Sequence, residues 1–95
     1  MASDSLSTLT LEPDDWLDDP ETAIGALSAA VATGEVCVDA SGPRMLPAQV
    51  LQMLISARKS VEAQGGRFVL RAPSEGVVRS LTALGFADYF EGALQ

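Results

Sequence analysis

The chain has 95 residues and a net charge of −7, with 13 acidic residues, six basic residues and no histidine. A chain of this length forms one small domain, and its negative charge disfavours binding to nucleic acid. The absence of histidine removes the most common general base and metal ligand, and no nucleophile or phosphate-loop motif replaces it. The composition therefore favours a binding module without cofactor or metal over an enzyme.

The cysteine content and the first residues predict the cellular setting. Cys37 is the single cysteine, so no internal disulfide can form and a reducing compartment is expected. Residues 1–4 carry no basic region and no apolar core follows them, which predicts no signal peptide, and no apolar run is long enough to span a bilayer. We expect a cytoplasmic protein without membrane insertion, folded as one domain over residues 1–95 with residues 1–5 disordered.

Negative charge is concentrated in the first half of the chain. Nine acidic residues and no basic residue precede Arg44, whereas four acidic and six basic residues occur from Arg44 onward. Asp14, Asp15, Asp18 and Asp19 lie close together in the sequence, but they lack the spacing and the glycine of a calcium-binding EF-hand loop. A solvated turn plus a helix cap is the favoured interpretation, and a calcium site is the weaker alternative.

The first predicted element is a short strand. In residues 6–11, Leu9 and Leu11 alternate with Thr8 and Thr10, which is typical of a strand with one solvated face. The segment 12–19 is rich in turn-forming residues and is interrupted by Trp16 and Leu17. We expect these two side chains to point inward, as in a vestigial second strand.

A helix and a strand come next. Asp19 and Pro20 predict the start of the helix, because an Asp cap followed by proline is typical of a first turn, and Gly34 predicts its end. The buried face of this helix is expected to contain Ile24, Leu27 and Val31. Residues 36–38 are consecutive and apolar, which predicts a strand covered on both faces, with Cys37 as a buried small hydrophobe.

The longest helical pattern runs from about Pro47 to about Gln64 and begins without a cap. Pro47 suits a first helical turn, but no Ser, Thr, Asp or Asn stands before it at the capping position. The apolar arc is wider than one packed face needs, since Leu51 and Ile55 extend it on one side and Met53 on the other. This helix follows the strand at 36–38, and functional polar side chains are expected where a helix starts after a strand. The absence of a polar cap therefore needs an explanation.

The last predicted elements are a strand and a helix. Gly65 and Gly66 end the long helix, residues 67–72 form the strand, and Ser74 caps a final helix that closes at Gly85. Strands that alternate with helices predict an α/β fold with a mostly parallel, four-stranded sheet. The core is expected to include Leu9, Leu11, Ile24, Leu27, Val36, Val38, Val50, Leu54, Val61, Val69, Leu81 and Leu84.

The order and spacing of these elements resemble STAS domains, the modules shared by sulfate transporters and anti-sigma factor antagonists. Typical members carry D-x-S-G after a strand, then a helix, a Gly-Gly turn, a second strand, a Pro-Ser helix start and a closing Leu-Gly. The matching residues are Asp39, Ser41, Gly42, Gly65, Gly66, Val69, Leu70, Pro73, Val77, Val78, Leu81, Leu84, Gly85 and Phe86. The resemblance covers about Asp19 to Phe90. It implies helices packed mainly on one face of the sheet and a non-catalytic role in protein–protein switching.

In sigma-factor members of this family the long helix opens with D-S-S-G-L, and a partner kinase phosphorylates the second serine. Only the unphosphorylated form captures that kinase. When Leu51 is aligned with this leucine, Pro47 stands at the acid and Val50 at the glycine. Ala48 and Gln49 then replace the two serines. The resemblance thus implies that the uncapped helix start is a degenerate switch site without a phosphate acceptor.

The resemblance also implies where partners bind. If the loop register is displaced by a few residues, Ser41 becomes the nearest hydroxyl and the candidate phosphorylation site. The partner-binding surface is expected to consist of Arg44, Met45, Leu46, Pro47, Ala48, Gln49, Leu51 and Ile55. The motif LQMLISA at 51–57 is similar to that of stand-alone bacterial STAS proteins encoded with chemotaxis genes, whose partner would be an anti-sigma factor or a kinase-like protein. The alternatives are a STAS subunit that binds the ATPase of a lipid-transport ABC complex, and a STAS domain that binds a nucleotide or a lipid.

Overall fold

The computed structural model describes residues 8–95. The expected disordered segment 1–5 and the first two residues of the predicted strand 6–11 lie outside this range. The elements, in chain order, are β1 (Thr8–Thr10), α1 (Pro13–Asp18), α2 (Pro20–Thr33), β2 (Glu35–Asp39), α3 (Ala48–Ala63), β3 (Arg67–Arg71), α4 (Glu75–Ala83), α5 (Ala87–Phe90) and a 3-10 turn (Glu91–Ala93).

The described residues form a parallel, three-stranded sheet in the order β1-β2-β3. Leu9 is paired with Val38, and Val38 with Leu70, so β2 is the central strand. Beyond β3, Leu94 forms a single parallel bridge to Leu70, and the Gln95 amide donates to the Leu70 carbonyl at 2.9 Å. The parallel α/β arrangement predicted from the alternation of elements is therefore present.

The prediction of a fourth, vestigial strand in segment 12–19 is wrong, because this segment forms α1. Pro13 occupies the first helical turn, and Asp14 and Asp15 follow it, where negative charge is favoured by the helix dipole. Trp16 is buried, as expected, but Leu17 is exposed. Asp14 and Asp15 thus lie in the first turn of a short helix rather than in a turn, Asp18 is its last residue, and Asp19 caps α2 as predicted.

The predicted caps of α2 and α4 are confirmed. The Asp19 carboxylate accepts hydrogen bonds from the Thr22 amide at 3.3 Å and the Thr22 hydroxyl at 2.7 Å. Gly34 ends α2 with φ +89°, a conformation that favours glycine. The Ser74 hydroxyl accepts a hydrogen bond from the Val77 amide at 3.1 Å at the start of α4.

Helices cover one face of the sheet. Val36 and Val38 are fully buried on β2, whereas Glu35, Cys37 and Asp39, which alternate with them, are exposed or half-buried. The prediction that both faces of β2 are covered is therefore wrong, and Cys37 is a half-buried thiol on the open face. Its partners across the strands on this face are Thr8 and the buried Val69. Charged residues, Glu35, Asp39, Arg67 and Arg71, stand at the two ends of β2 and β3, so this side of the sheet is more polar than the side that the helices cover.

Most of the predicted core is buried, with three exceptions. Ile24 is 51% exposed and Leu84 is exposed as well, while Leu9 is only partly buried against the core. The buried positions of α2 are Ala23, Leu27 and Ala30. These three residues recur every three to four positions and form a narrow stripe, and Ile24 lies about a quarter turn to one side of it.

Candidate partner-binding surface at the start of α3

The carboxyl ends of the three strands meet at the segment 40–47, which connects β2 to α3. The Leu11 amide donates to the Asp39 carbonyl at 2.9 Å, and the Ala40 amide donates to the Arg71 carbonyl at 2.9 Å. The Ala40 carbonyl accepts from the Ser74 amide at 3.0 Å, which ties the segment to the start of α4. In open α/β sheets this edge is where ligands and partners usually bind.

Helix α4 holds the segment 43–46 in place. The Ser74 hydroxyl donates to the Pro43 carbonyl at 2.5 Å, and the Ser80 hydroxyl accepts from the Leu46 amide at 2.9 Å. Gly76 lies against the segment so closely that a Cβ atom built there would be 1.8 Å from the Arg44 carbonyl oxygen. The loop before α3 is therefore tied to α4 at three positions.

Two of these positions were missed at the sequence level. Ser74 was identified, but only as a helix cap, whereas Gly76 and Ser80 were not identified as functional at all. The available indication was Gly76 itself, because a glycine inside a helix is unfavourable and often marks a close approach of another chain segment.

Helix α3 begins as the sequence predicts, without a side-chain cap. Pro47 precedes the helix in an extended conformation with φ −65° and ψ 150°, and its carbonyl accepts from the Leu51 amide at 3.0 Å. No acidic residue stands in the first turn. The first amides of a helix have no partner within the helix, so this end presents backbone N–H groups without a carboxylate or hydroxyl of its own.

The eight residues expected to bind a partner divide into two groups. Leu46 is 1% exposed, Leu51 is 1% exposed and Ile55 is also buried, so these three belong to the core and cannot contact a partner directly. Arg44, Met45, Ala48 and Gln49 are exposed, and Pro47 between them is half-buried. We call these five residues, Arg44, Met45, Pro47, Ala48 and Gln49, the α3-start surface.

The C-terminal part of the chain contacts the side of α3 to which the wide apolar arc extends. Leu51, Ile55 and Arg58 follow one another on the same side of α3. The Arg58 guanidinium lies 4.8 Å from the centre of the Tyr89 ring and 5.7 Å from that of Phe90, and it donates to the Tyr89 carbonyl. The surplus apolar surface is thus used for packing within the chain.

Ser41 is exposed but its hydroxyl is already bound. The Ser41 hydroxyl donates to Asp39 Oδ1 at 2.7 Å, and the Ser41 amide donates to the same oxygen at 3.0 Å. These two hydrogen bonds, together with the nearby charge of Arg71, lower the pKa of Asp39 below its usual value. A phosphate on Ser41 would replace a favourable hydrogen bond with repulsion from this carboxylate.

The acidic residues of α1 adjoin the same edge. Asp14 and Asp15 line a shallow depression of about 380 Å³ together with Gly42 and Pro43. Within residues 8–95, no group of three or more Cys, Asp or Glu side chains is arranged to hold a metal ion. The same part of the chain contains no helix that is long and apolar enough to cross a membrane.

A protein-family model described as "Mlab, STAS domain" matches residues 19–94, about four fifths of the chain. The matched segment runs from the cap of α2 to the C-terminal bridge on β3, and it includes the whole α3-start surface. No curated protein and no solved structure matches the chain significantly.

Proposed function

Because the chain belongs to the STAS domain family, we propose that it is a non-catalytic signalling module that binds a protein partner through the α3-start surface. The family includes anti-sigma factor antagonists and related regulatory domains, and STAS domains are generally non-catalytic and commonly bind proteins. The observation that carries the proposal is an exposed apolar side chain on a fixed backbone. Met45 is 59% exposed on the loop that Ser74, Gly76 and Ser80 hold against α4.

Affinity at this surface comes from burial of Met45, with Arg44 beside it as an anchor. Methionine and arginine are enriched at protein interfaces, and a few desolvated side chains near the centre carry most of the binding energy. Because the loop is tied to α4 before binding, little backbone entropy is lost when the partner docks. The surface is thus prepared to bind in the free protein.

The site acts as a permanently unphosphorylated switch. A phosphoserine at a helix start brings about two negative charges to the positive end of the helix dipole. Ala48 and Gln49 have no hydroxyl, and the first turn of α3 has no acid to imitate a phosphate. Control of binding therefore comes from the amount or the state of the partner.

The proposed partner is an anti-sigma factor or a kinase-like protein of a bacterial cytoplasmic pathway, such as chemotaxis or histidine-kinase signalling. The apolar Met45 and the uncharged Gln49 favour a partner surface with an apolar centre over a highly charged one. The ATPase of an ABC transporter is the alternative protein partner, and the experiment below distinguishes the two by identifying the protein that is captured.

Site-specific photo-crosslinking tests the proposal. A photoreactive residue in place of Gln49 should capture one protein partner in cells, and mass spectrometry then identifies it. A matched control carries the photoreactive residue in place of Glu35, which is exposed on the open face of the sheet. Capture of the same protein from both positions, or no capture from Gln49, contradicts the proposed surface. Incubation with the captured partner and ATP should leave residues 44–55 unmodified.

A further inference from the structure

A groove of about 400 Å³ lies between α2 and α3. Its lining consists of the apolar residues Ile24, Leu27, Val31, Met53 and Ala57 and the polar residues Ser28, Gln52, Ser56 and Ser60. None of these described residues is charged, and Ile24 is 51% exposed at the edge of the groove. The groove is therefore an apolar recess with an uncharged polar border.

The α3 wall of the groove continues the α3-start surface. At 100° per residue, Gln49, Met53, Ser56 and Ser60 fall within an arc of about 60°. Gln49, Ser56 and Ser60 are exposed, and Met53 is half-buried. Lys59 is also exposed, but it lies farther round the helix, at the outer rim of the groove. One uncharged stripe of α3 thus leads from the α3-start surface into the groove.

The α3-start surface is too small to form a complete interface by itself. A specific protein–protein contact usually involves about 20–30 residues and about 800 Å² on each side, which corresponds to a patch with a radius of about 16 Å. Ser56, in the α3 wall of the groove, lies about 10 Å along the helix from Gln49, at 1.5 Å per residue. A partner of ordinary footprint that is centred on the α3-start surface therefore reaches the groove.

The other surfaces next to the α3-start surface are charged. Asp14 and Asp15 line the depression on the side of α1, and Glu75 and Arg79 form an exposed ion pair at 3.6 Å on α4. Interface centres are depleted of charged residues and enriched in methionine and aromatic residues. The groove is thus the neighbouring surface that extends the apolar contact of Met45.

We propose that the protein partner of the α3-start surface also occupies the groove, with the apolar face of one of its helices. This inference rests on the proposed function, because it takes the partner of that surface as the occupant. The α2 wall, from Ile24 to Val31, is about 10 Å long, or two helical turns. A groove of this length accepts apolar side chains at positions i, i+3 or i+4, and i+7 of an amphipathic helix. The net charge of −7 disfavours a second copy as the occupant.

Photo-crosslinking from the groove tests the occupant. A photoreactive residue in place of Ser56 should capture, in cells, the same protein that is captured from Gln49. The crosslinked peptide should come from a segment with apolar residues at the helical spacing. The control position is Glu62, which pairs with Arg58 on the side of α3 that faces away from the groove, and it should not capture this protein.

A binding measurement with the purified, captured partner tests the apolar contact. Ile24→Glu should raise the dissociation constant about tenfold or more, because it places an unpaired charge in an apolar contact. Ile24 is half exposed in the free chain, so the variant should remain folded, which circular dichroism verifies. Leu84→Glu is the matched control, since Leu84 is an exposed aliphatic residue at the end of α4 and the change in charge is the same. It should leave the dissociation constant unchanged.

The outcomes separate this inference from the proposed function. Capture of a partner from Gln49 but not from Ser56 would overturn the groove inference and leave the α3-start surface standing. Capture of a second copy or of a different protein from Ser56 would do the same, as would equal effects of Ile24→Glu and Leu84→Glu. If Gln49 captures no protein, the proposed function is wrong, and the groove inference is wrong with it.

Discussion

Helices α2 and α3 pack side by side on the same sheet, but they begin in opposite ways. At the start of α2, Asp19 accepts two hydrogen bonds from Thr22 and is followed by Pro20, so the local sequence stabilises the helix. At the start of α3, no side chain caps the helix. Its start is instead fixed by distant contacts with α4. A helix start that is held from elsewhere leaves its own surface free for a partner.

The largest effect is expected for Leu46, which anchors the segment before α3 in the core. Leu46→Ala should lower the free energy of unfolding by about 2–5 kcal/mol, because Leu46 is almost fully buried and a cavity would remain. Met45→Ala, one residue earlier and exposed, is the matched control and should change stability by no more than about 0.5 kcal/mol. Urea denaturation measures both. Equal losses would contradict the assignment of Leu46 to the core and Met45 to the surface.

A smaller but more specific effect is expected for Gly76. Gly76→Ala should lower the free energy of unfolding by about 3 kcal/mol, because the added Cβ clashes with the Arg44 carbonyl and must displace the loop. Gly25→Ala is the control within α2, where an added Cβ has no atom within 4 Å. It should raise stability by about 0.5–1 kcal/mol through helix propensity.

The same comparison indicates what the sequence can predict. The start of α2 depends on Asp19 and Pro20, which are adjacent in the chain, and it was predicted correctly. The contact of Gly76 with Arg44 joins residues more than 30 positions apart, and no local pattern contains it. Contacts of this kind fix the loop that carries the candidate site. The uncapped start of α3 could therefore be predicted from the sequence, but the residues of α4 that hold the loop could not.

Long-range packing also explains the residues that were placed on the wrong side. Leu51 and Ile55, which flank the apolar arc of α3, were assigned to the partner-binding surface that the resemblance implies. Both are buried, and on the same side of α3 the Tyr89 and Phe90 rings of the C-terminal segment lie against Arg58. The periodicity of apolar residues indicates which side of a helix faces the core, but the width of the buried face depends on the elements that pack against it. Ile24 on α2 is a second example, because it was predicted in the core and is exposed.

Removing the cap of α2 and adding a cap to α3 would test whether the two helix starts differ in stability as described. Asp19→Ala should cost about 0.5–2 kcal/mol of stability, because α2 loses its cap. Pro47→Asp should instead raise stability by about 0.5–1 kcal/mol, because an aspartate at this extended position is able to cap α3. Thermal unfolding of both variants measures the difference. No gain from Pro47→Asp would indicate that the first amides of α3 are already satisfied by other groups.

The smallest effect on stability, and the most informative for function, is expected for Gln49. Gln49→Glu places a negative charge in the first turn of α3, which the helix dipole favours by about 0.3–1 kcal/mol. The same charge imitates part of a phosphoserine, so it should weaken binding of the crosslinked partner by about tenfold, as isothermal titration calorimetry measures. Gln49→Ser adds a hydroxyl without charge and should bind like the wild type. A gain in stability together with a loss of binding separates the two roles of the helix start, because a merely unfolded variant would lose both. If Gln49→Glu binds as tightly as the wild type, or if Ser41 is phosphorylated with loss of binding, the switch lies in the loop rather than at the start of α3.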